Sequence, residues 1–455
     1  MVEMVIRTHL HSDPFLTPDE RVIPWECKRR LASCCDIAPR YVRGGHLVVG
    51  EVMPVAESRT AIRDRPVEEP LREVEVGLCA VTNYPVRELR QFLWWGRLAG
   101  VDSLVVPDHW QDFVPRVLWE PSVTWRARRS NSPHDLREAF TVLGALARSA
   151  GRVRIGVAVT EMLRRHPVMV AQAALTLSEL TKRPLILGVG AGERLNTEPY
   201  GVAVPKPVGR FEEALQVIRL CFQSSGTFDF EGEHFQLNGA VMDLAPSKSG
   251  TPEIWIAAHG PRMLGLVGRY GDGWIPIQPL HGPADYELGW RTVRTAAKQA
   301  DRRVESITPS LLALVALAPT AAQAEALLRS PLVRYLALMG TSATQWVELG
   351  SDHPFGPDFG GYGHVLPEAL DRRELDAAIA QVPPEIVRSR FVSGTPLQVE
   401  ATIRDYADAG LRHVVLAPVS ALVRRRHQNY ALWALPRLVR ALRRPSSRAT
   451  RSRSA

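Results

Sequence analysis

From residue 73 onward the chain alternates short apolar runs with amphipathic ones, and this rhythm constrains the fold more than any other feature. Glu73-Val-Glu-Val-Gly-Leu-Cys-Ala-Val reads as a strand. Pro85 to Gly100 reads as a helix, with proline near its start and glycine after its end. Seven further strands are expected. They begin at Ser103, Arg152, Pro184, Glu253, Gly273, Ser310 and His413. Helices are expected at Asp135 to Ala150, Pro167 to Lys182, Gly209 to Gln223, from Pro261, up to about Gln299, from Thr320, at Pro396 to Ala409 and at Ala431 to Leu442. Phe211, Leu215, Ile218 and Phe222 form one core-facing stripe in the helix Gly209 to Gln223. Two interruptions are expected, a hairpin over Thr227 to Leu237 and a long irregular insertion over about residues 340–370.

Several strands are almost continuously apolar, as parallel strands covered on both faces are. The alternation therefore predicts an α/β protein. Eight units favour closure into a (β/α)₈ TIM barrel with insertions, while rhythm alone leaves a doubly wound sheet open. The length of 455 residues exceeds the roughly 250 that a barrel needs.

Residues 1–72 and the end of the chain stand apart. The first 72 residues hold Cys27, Cys34 and Cys35, many Arg and Pro, and no sustained periodicity, so a poorly ordered extension is expected there. Met53 is a candidate natural start within it. Much of the net charge of +8 sits in an Arg-rich tail over 443–455, which reads as solvated and disordered rather than as a nucleic-acid face. With Cys79 and Cys221 the cysteine count is odd and no spacing suits zinc, so free thiols and no metal site are expected. No run approaches the roughly 20 apolar residues that span a bilayer, and the N-terminus lacks an apolar signal core. A cytoplasmic location is the expectation.

In a barrel of this kind the active site lies at the C-terminal ends of the strands. The second strand ends in Pro107-Asp108-His109-Trp110, where His109 can exchange a proton near neutral pH and Asp108 can orient it or bind a cofactor. A strand-end histidine bonded to backbone is the bland alternative. The third strand ends in Gly156-Val-Ala-Val-Thr160, then Glu161 and Arg164-Arg165-His166-Pro167, which by themselves read as ordinary barrel packing. The fourth ends in Gly188-Val-Gly190-Ala-Gly192-Glu193-Arg-Leu-Asn196, where glycines permit close backbone approach and Glu193 is a candidate acid. This is half a dinucleotide fingerprint. It lies mid-chain, and no acidic residue closes a next strand about 20 residues on, which argues against a Rossmann dehydrogenase. The fifth strand ends in Ala257-Ala258-His259-Gly260 before Pro261, a helix start suited to an anionic group.

Together these strand ends resemble the luciferase-like hydride transferases, which include coenzyme F420-dependent dehydrogenases and reductases as well as FMN-dependent monooxygenases. The resemblance runs from about residue 73 to 442. It is strongest to the phthiodiolone ketoreductase group, in Asn196-Thr-Glu-Pro-Tyr-Gly, Lys206-Pro-Val-Gly-Arg-Phe-Glu-Glu-Ala-Leu, Pro252-Glu-Ile-Trp-Ile-Ala-Ala-His-Gly-Pro-Arg-Met-Leu, Gly273-Trp-Ile-Pro-Ile, His353-Pro-Phe-Gly-Pro-Asp-Phe and Ser393-Gly-Thr-Pro. The resemblance implies coenzyme F420 as cofactor, with FMN as the alternative, and a ketone on a lipid-like chain as substrate. It implies His109 at the substrate oxygen and Glu193 at the deazaflavin ring. Asp108, Thr160, Asn196, Gly190 and Gly192 would line the cofactor. Ala258, His259 and Gly260 would hold its phosphate through backbone N–H groups. A non-proline cis peptide behind the ring would fall at Ala158-Val159. Trp110 and Phe113 are the candidate aromatic residues against substrate. The lysines that sugar-phosphate enzymes of this type use have no counterpart that can be placed, which points to an apolar substrate. A homodimer is implied by analogy alone. Two other readings stay open, an FMN-dependent monooxygenase and a non-catalytic lipid- or cofactor-binding homologue.

Overall fold

The computed structural model describes residues 73–203 and 206–444. The expected N-terminal extension, with Cys27, Cys34, Cys35 and Met53, lies outside the described residues, as do residues 445–455 of the tail. Cys79 and Cys221 are free thiols.

The strands are β1 (Glu75–Cys79), β2 (Ser103–Val106), β3 (Arg154–Glu161), β4 (Ile186–Gly190), β5 (Thr227–Glu231), β6 (Gln236–Val241), β7 (Glu253–Ile256), β8 (Gly273–Trp274), β9 (Thr308–Leu317), β10 (Val392–Gly394) and β11 (His413–Ala417). Eight of them pair in parallel in the order β1-β2-β3-β4-β7-β8-β9-β11, and β11 pairs back onto β1 to close the ring. The chain is a (β/α)₈ barrel, and every strand expected from the rhythm is a stave. The antiparallel β5–β6 pair is the expected hairpin, and β10 extends the upper end of β9.

The apolar runs are buried on two sides. Val105, Ala158, Ile186, Trp255, Ile275 and Val415 fill the barrel interior. Alternate residues such as Leu104, Leu187 and Ile254 meet the surrounding helices. Phe211, Leu215, Ile218 and Phe222 are all buried in the helix Pro207–Gln223.

Some element boundaries differ from the sequence reading, for local reasons. The helix expected from Asp135 begins at Ala139, because the Glu138 carboxylate caps it by accepting from the Phe140 and Thr141 N–H groups at 3.1 and 2.7 Å. The last helix begins at Arg425, not Ala431, since its polar first turns carry little apolar signal. The insertion is more regular than expected. It holds the helix Ala343–Glu348, started by a Ser342–Gln345 capping box. The helices Pro331–Gly340, Arg372–Gln381 and Pro384–Arg390 flank it. His353 ties this region together, stacking on Phe359 at 4.3 Å and sharing a 3.1 Å hydrogen bond with the Leu338 carbonyl. A second apolar core, including Leu118, Tyr335, Leu338 and Trp346, binds the insertion to the segment after β2.

At the N-terminal end of the barrel, Ser103 Oγ lies 2.8 Å from His413 Nε2, and His413 Nδ1 lies 2.8 Å from a Glu75 carboxylate oxygen. The three residues begin β2, β11 and β1. Their order imitates a hydrolase triad. Ser103 and His413 have no exposed surface, however, and they sit at the end that carries stability rather than chemistry. The network fastens three staves, and the His413 hydrogen bond holds the Glu75 carboxyl below its usual range. Among the described residues no helix is long and apolar enough to cross a membrane.

Candidate functional site

At the opposite rim, the loops after β2 and β4 are tied to each other. The Trp110 N–H donates to Asn196 Oδ1 at 2.9 Å, and Gln111 Nε2 donates to the Leu195 carbonyl at 2.6 Å. The first bond fixes which way the Asn196 amide points. Its Nδ2 then faces His109 Nδ1 at 2.7 Å as the donor. Nδ1 must accept, so the proton of the neutral imidazole sits on Nε2, the nitrogen facing away from Asn196.

Glu193 completes this corner. One of its carboxyl oxygens lies 3.5 Å from His109 Nδ1. Burial, then the like charge of Glu161, pushes the Glu193 carboxyl up to about 8, against the opposing pull of Arg164. Burial pulls His109 down to about 4, and the Arg164 charge acts in the same direction. At neutral pH the contact is therefore between a protonated carboxyl and a neutral imidazole, not an ion pair. Both side chains keep accessible surface, 15% for His109 and 28% for Glu193, although protein surrounds them. They line a cleft rather than a filled core.

Beneath this pair is a charged girdle. Asp108 is buried, accepts from Thr160 Oγ1 at 2.6 Å and pairs with Arg165 at 3.0 Å. Arg164 is 1% exposed, ion-pairs with Glu161 and Asp108, and lies 4.7 Å over the Trp110 ring. In this structure Asp108 and Thr160 bind each other. Glu161 and Arg164, which read as plain packing in the sequence, set the charge around His109 and Glu193 together with Asp108. These residues, far apart in sequence, meet only because β2 and β3 are neighbours.

The wall beside His109 is aromatic. Phe113 meets the His109 ring edge-on at 5.1 Å, and Tyr362 meets Phe113 at 4.8 Å. Tyr362 comes from the insertion and was not among the expected site residues; nothing in its local sequence distinguishes it. Trp110 is 42% exposed and packs on Tyr200 at 4.4 Å.

The back of the cleft is the bulge in β3. The β3–β4 register shifts between Val157 and Thr160, and the Ala158–Val159 peptide bond is cis, where the resemblance located it. Gly190 leaves room for Val159, whose Cγ2 would lie 3.2 Å from an added Cβ. Gly192 has φ +98°, and an added Cβ would meet Leu163 at 2.4 Å, so this turn requires glycine for its own geometry. Ala258, His259 and Gly260 lie farther round the rim, before the helix Pro261–Tyr270. The Ala258 carbonyl accepts from Trp274 Nε1 at 3.0 Å, which leaves His259 and Gly260 to form the exposed lip. An added Cβ at Gly260 would meet nothing within 4 Å.

Comparison with known proteins agrees with this architecture. A family model described as luciferase-like monooxygenase matches residues 84–413. The phthiodiolone/phenolphthiodiolone dimycocerosates ketoreductase of Mycobacterium kansasii is 41% identical over 322 residues, covering 70% of this chain and 87% of that protein. An F420-dependent secondary alcohol dehydrogenase, solved in complex with an F420-acetone adduct, superposes with a TM-score of 0.64 at 20% identity, covering 82% of this chain and all of that one. The coenzyme F420 dependent tetrahydromethanopterin reductase from Methanopyrus kandleri gives a TM-score of 0.62 at 16% identity, covering 83% of this chain and 99% of that one. The chain belongs to the luciferase-like monooxygenase family.

Proposed function

We propose that this chain is a hydride-transferring oxidoreductase that uses coenzyme F420 to reduce a ketone on a long apolar substrate. The observation that carries the reading is the neutral corner of His109 and Glu193, 3.5 Å apart, with its tautomer set by Asn196 at the C-terminal rim of the barrel. The similarity to a ketoreductase over 87% of that protein's length supports the same direction.

The residues present fit such a cofactor. The cleft has a cis-bulged floor at Ala158–Val159, a protonatable carboxyl at Glu193 and an open, uncapped helix start at Gly260 suited to a phosphate. Reduced deazaflavin, when bound, supplies the hydride. His109 presents Nε2–H to the substrate oxygen and passes that proton to the developing alkoxide as Nδ1 takes up the proton of the Glu193 carboxyl 3.5 Å away, which leaves neutral imidazole and the Glu193 carboxylate. Asn196 holds the ring of His109 in that tautomer. Glu193 stands at the deazaflavin ring as a neutral, proton-bearing group. Asp108, Thr160 and Arg165 keep the His109 loop in place. Phe113, Tyr362 and Trp110 give the substrate a largely apolar, aromatic wall.

The family description is that of a monooxygenase, which keeps one rival in view, reduced FMN reacting with oxygen. Parallel assays separate the two. The proposal expects ketone reduction by reduced coenzyme F420 with oxygen excluded. Turnover only with reduced FMN, with oxygen consumed, would replace it. Tight cofactor binding with turnover in neither assay would point to a binding protein.

A further inference from the structure

Two neighbouring helices on the outer wall of the barrel, Val86–Ala99 and Arg425–Leu442, show solvent a face of indoles and arginines. Trp95 Nε1 donates to the Leu432 carbonyl at 3.0 Å, which seats the two helices side by side. On the first helix, Arg87, Gln91, Trp94 and Leu98 are spaced four, three and four residues apart and all are exposed, so they form one outward row. On the second, Arg426, Asn429, Trp433, Arg437 and Arg440 form another, spaced three, four, four and three apart. Trp94, Leu98 and Trp433 are each more than half exposed. Single apolar side chains on a surface are ordinary, but two indoles and a leucine gathered on adjoining helices mark a place of contact.

The charge around them has one sign. From Arg424 to Ala455 the chain carries ten arginines and no lysine, aspartate or glutamate. Among the described residues of this stretch, Arg443 alone pairs with a carboxylate, that of Asp102. Arg437 lies 3.9 Å over the Trp433 ring, which holds a guanidinium at the indole face. The helix Val86–Ala99 sets Arg87, Arg90 and Arg97 against one acidic residue, Glu88, which Arg129 pairs at 2.7 Å. Arg90 and Arg97 reach across to the Ala145 and Ser149 carbonyls, and the helix they reach, Ala139–Ala150, has no acidic residue of its own. The whole face is thus positive, with apolar tips standing in it.

We propose that this face docks the protein on the surface of an anionic phospholipid bilayer. The two indoles settle at the headgroup level, where the ring is partly buried and its N–H stays hydrated. Leu98 enters the acyl boundary beside them, and the arginines meet lipid phosphates. Leu98 favours a bilayer over a nucleic acid, because a phosphate backbone satisfies arginines but leaves an exposed aliphatic side chain in water. No acidic residue punctuates the second row to fix a register, which suits a laterally uniform charged surface better than a shaped protein partner. No residue of either row belongs to the cleft, so the docking is separate from the chemistry proposed there.

The test is co-sedimentation of the full-length protein with vesicles of phosphatidylcholine alone and of phosphatidylcholine containing about one-third phosphatidylglycerol. The wild type is expected to bind the anionic vesicles about 100-fold more tightly, with the preference falling as salt is raised. Arg437→Gln combined with Arg440→Gln should lower affinity for the anionic vesicles about 10- to 30-fold. Trp94→Ala combined with Trp433→Ala should lower it about tenfold, and should remove most of the quenching of tryptophan fluorescence by brominated acyl chains. An unfolding midpoint equal to wild type checks that each variant is folded, and if the indole pair is not, the arginine pair decides. Equal affinity for the two vesicle types, binding to neither, or binding that neither pair of substitutions weakens would overturn the proposal. Binding of duplex DNA that the arginine pair removes, with vesicles ignored, would assign the face to nucleic acid instead. A dimer in sedimentation equilibrium that the indole pair turns into monomer would mean that a second copy covers the face, and would overturn the proposal likewise.

Discussion

At the scale of single residues, the account turns on where two protons sit. Asn196 donates to His109 Nδ1, so Nε2 carries the imidazole proton, and Glu193 keeps its own proton up to about pH 8. His109→Ala removes the Nε2 donor without touching the lip at Gly260. It should lower turnover by about 10²–10⁴-fold and leave cofactor affinity within a few-fold of wild type. Stopped-flow reduction and a binding titration check the two halves, and wild-type turnover in this variant would remove His109 from the chemistry. The pH dependence has a definite sign. His109 is neutral above about pH 4 and Glu193 is protonated below about pH 8. Ketone reduction should thus be level between those limits and decline above about pH 8 as Glu193 ionises. Glu193→Gln cannot ionise, so its profile should stay flat through the alkaline range. An unchanged alkaline decline in that variant would assign the titration to another group.

At the scale of elements, the two ends of the barrel do different work, and each can be disturbed alone. His413→Ala leaves Ser103 without its partner among β1, β2 and β11 and opens a cavity in a fully buried layer. A loss of about 2–4 kcal/mol in denaturant unfolding is expected, with kcat unchanged in the folded protein. A selective loss of kcat would place chemistry at the wrong end. Tyr362 tests the insertion. Tyr362→Ala opens the aromatic wall beside Phe113, so KM for a long-chain ketone should rise about tenfold while a short ketone is little affected. Equal effects on both ketones would mean that Tyr362 supports the fold and does not read the chain. The elements also show what the sequence could convey. Apolar continuity is a local property, so all eight staves were legible, and strand-end position then pointed to His109 and Glu193. The capping of the helix at Ala139 by Glu138 replaced a start at Asp135, because which carboxylate caps depends on the turn preceding it. The regular structure in the insertion was hidden because its order comes from His353 and aromatic packing, without a hydrophobic period. Arg164 and Tyr362 were missed for one reason. Each acquires its place at the site from a neighbour distant in sequence, respectively Asp108 and Phe113.

At the scale of the whole molecule, the closed barrel brings the ends of β2, β3, β4 and β7 to one rim, and the insertion adds Tyr362 to that same side. The architecture alone serves several chemistries within this family, so the barrel does not choose between reductase and monooxygenase. The proposal of hydride transfer therefore rests on the protonation states at His109 and Glu193 and on the apolar wall beside them. The most direct measurement follows the hydride itself. The full-length protein is mixed, with oxygen excluded, with coenzyme F420 reduced and deuterated at its hydride-donating ring carbon, together with a long-chain ketone. Mass spectrometry then reads the alcohol formed. The account predicts one deuterium on the carbinol carbon for each cofactor oxidised. Alcohol without the label, or no alcohol until oxygen and reduced FMN are supplied, would contradict it.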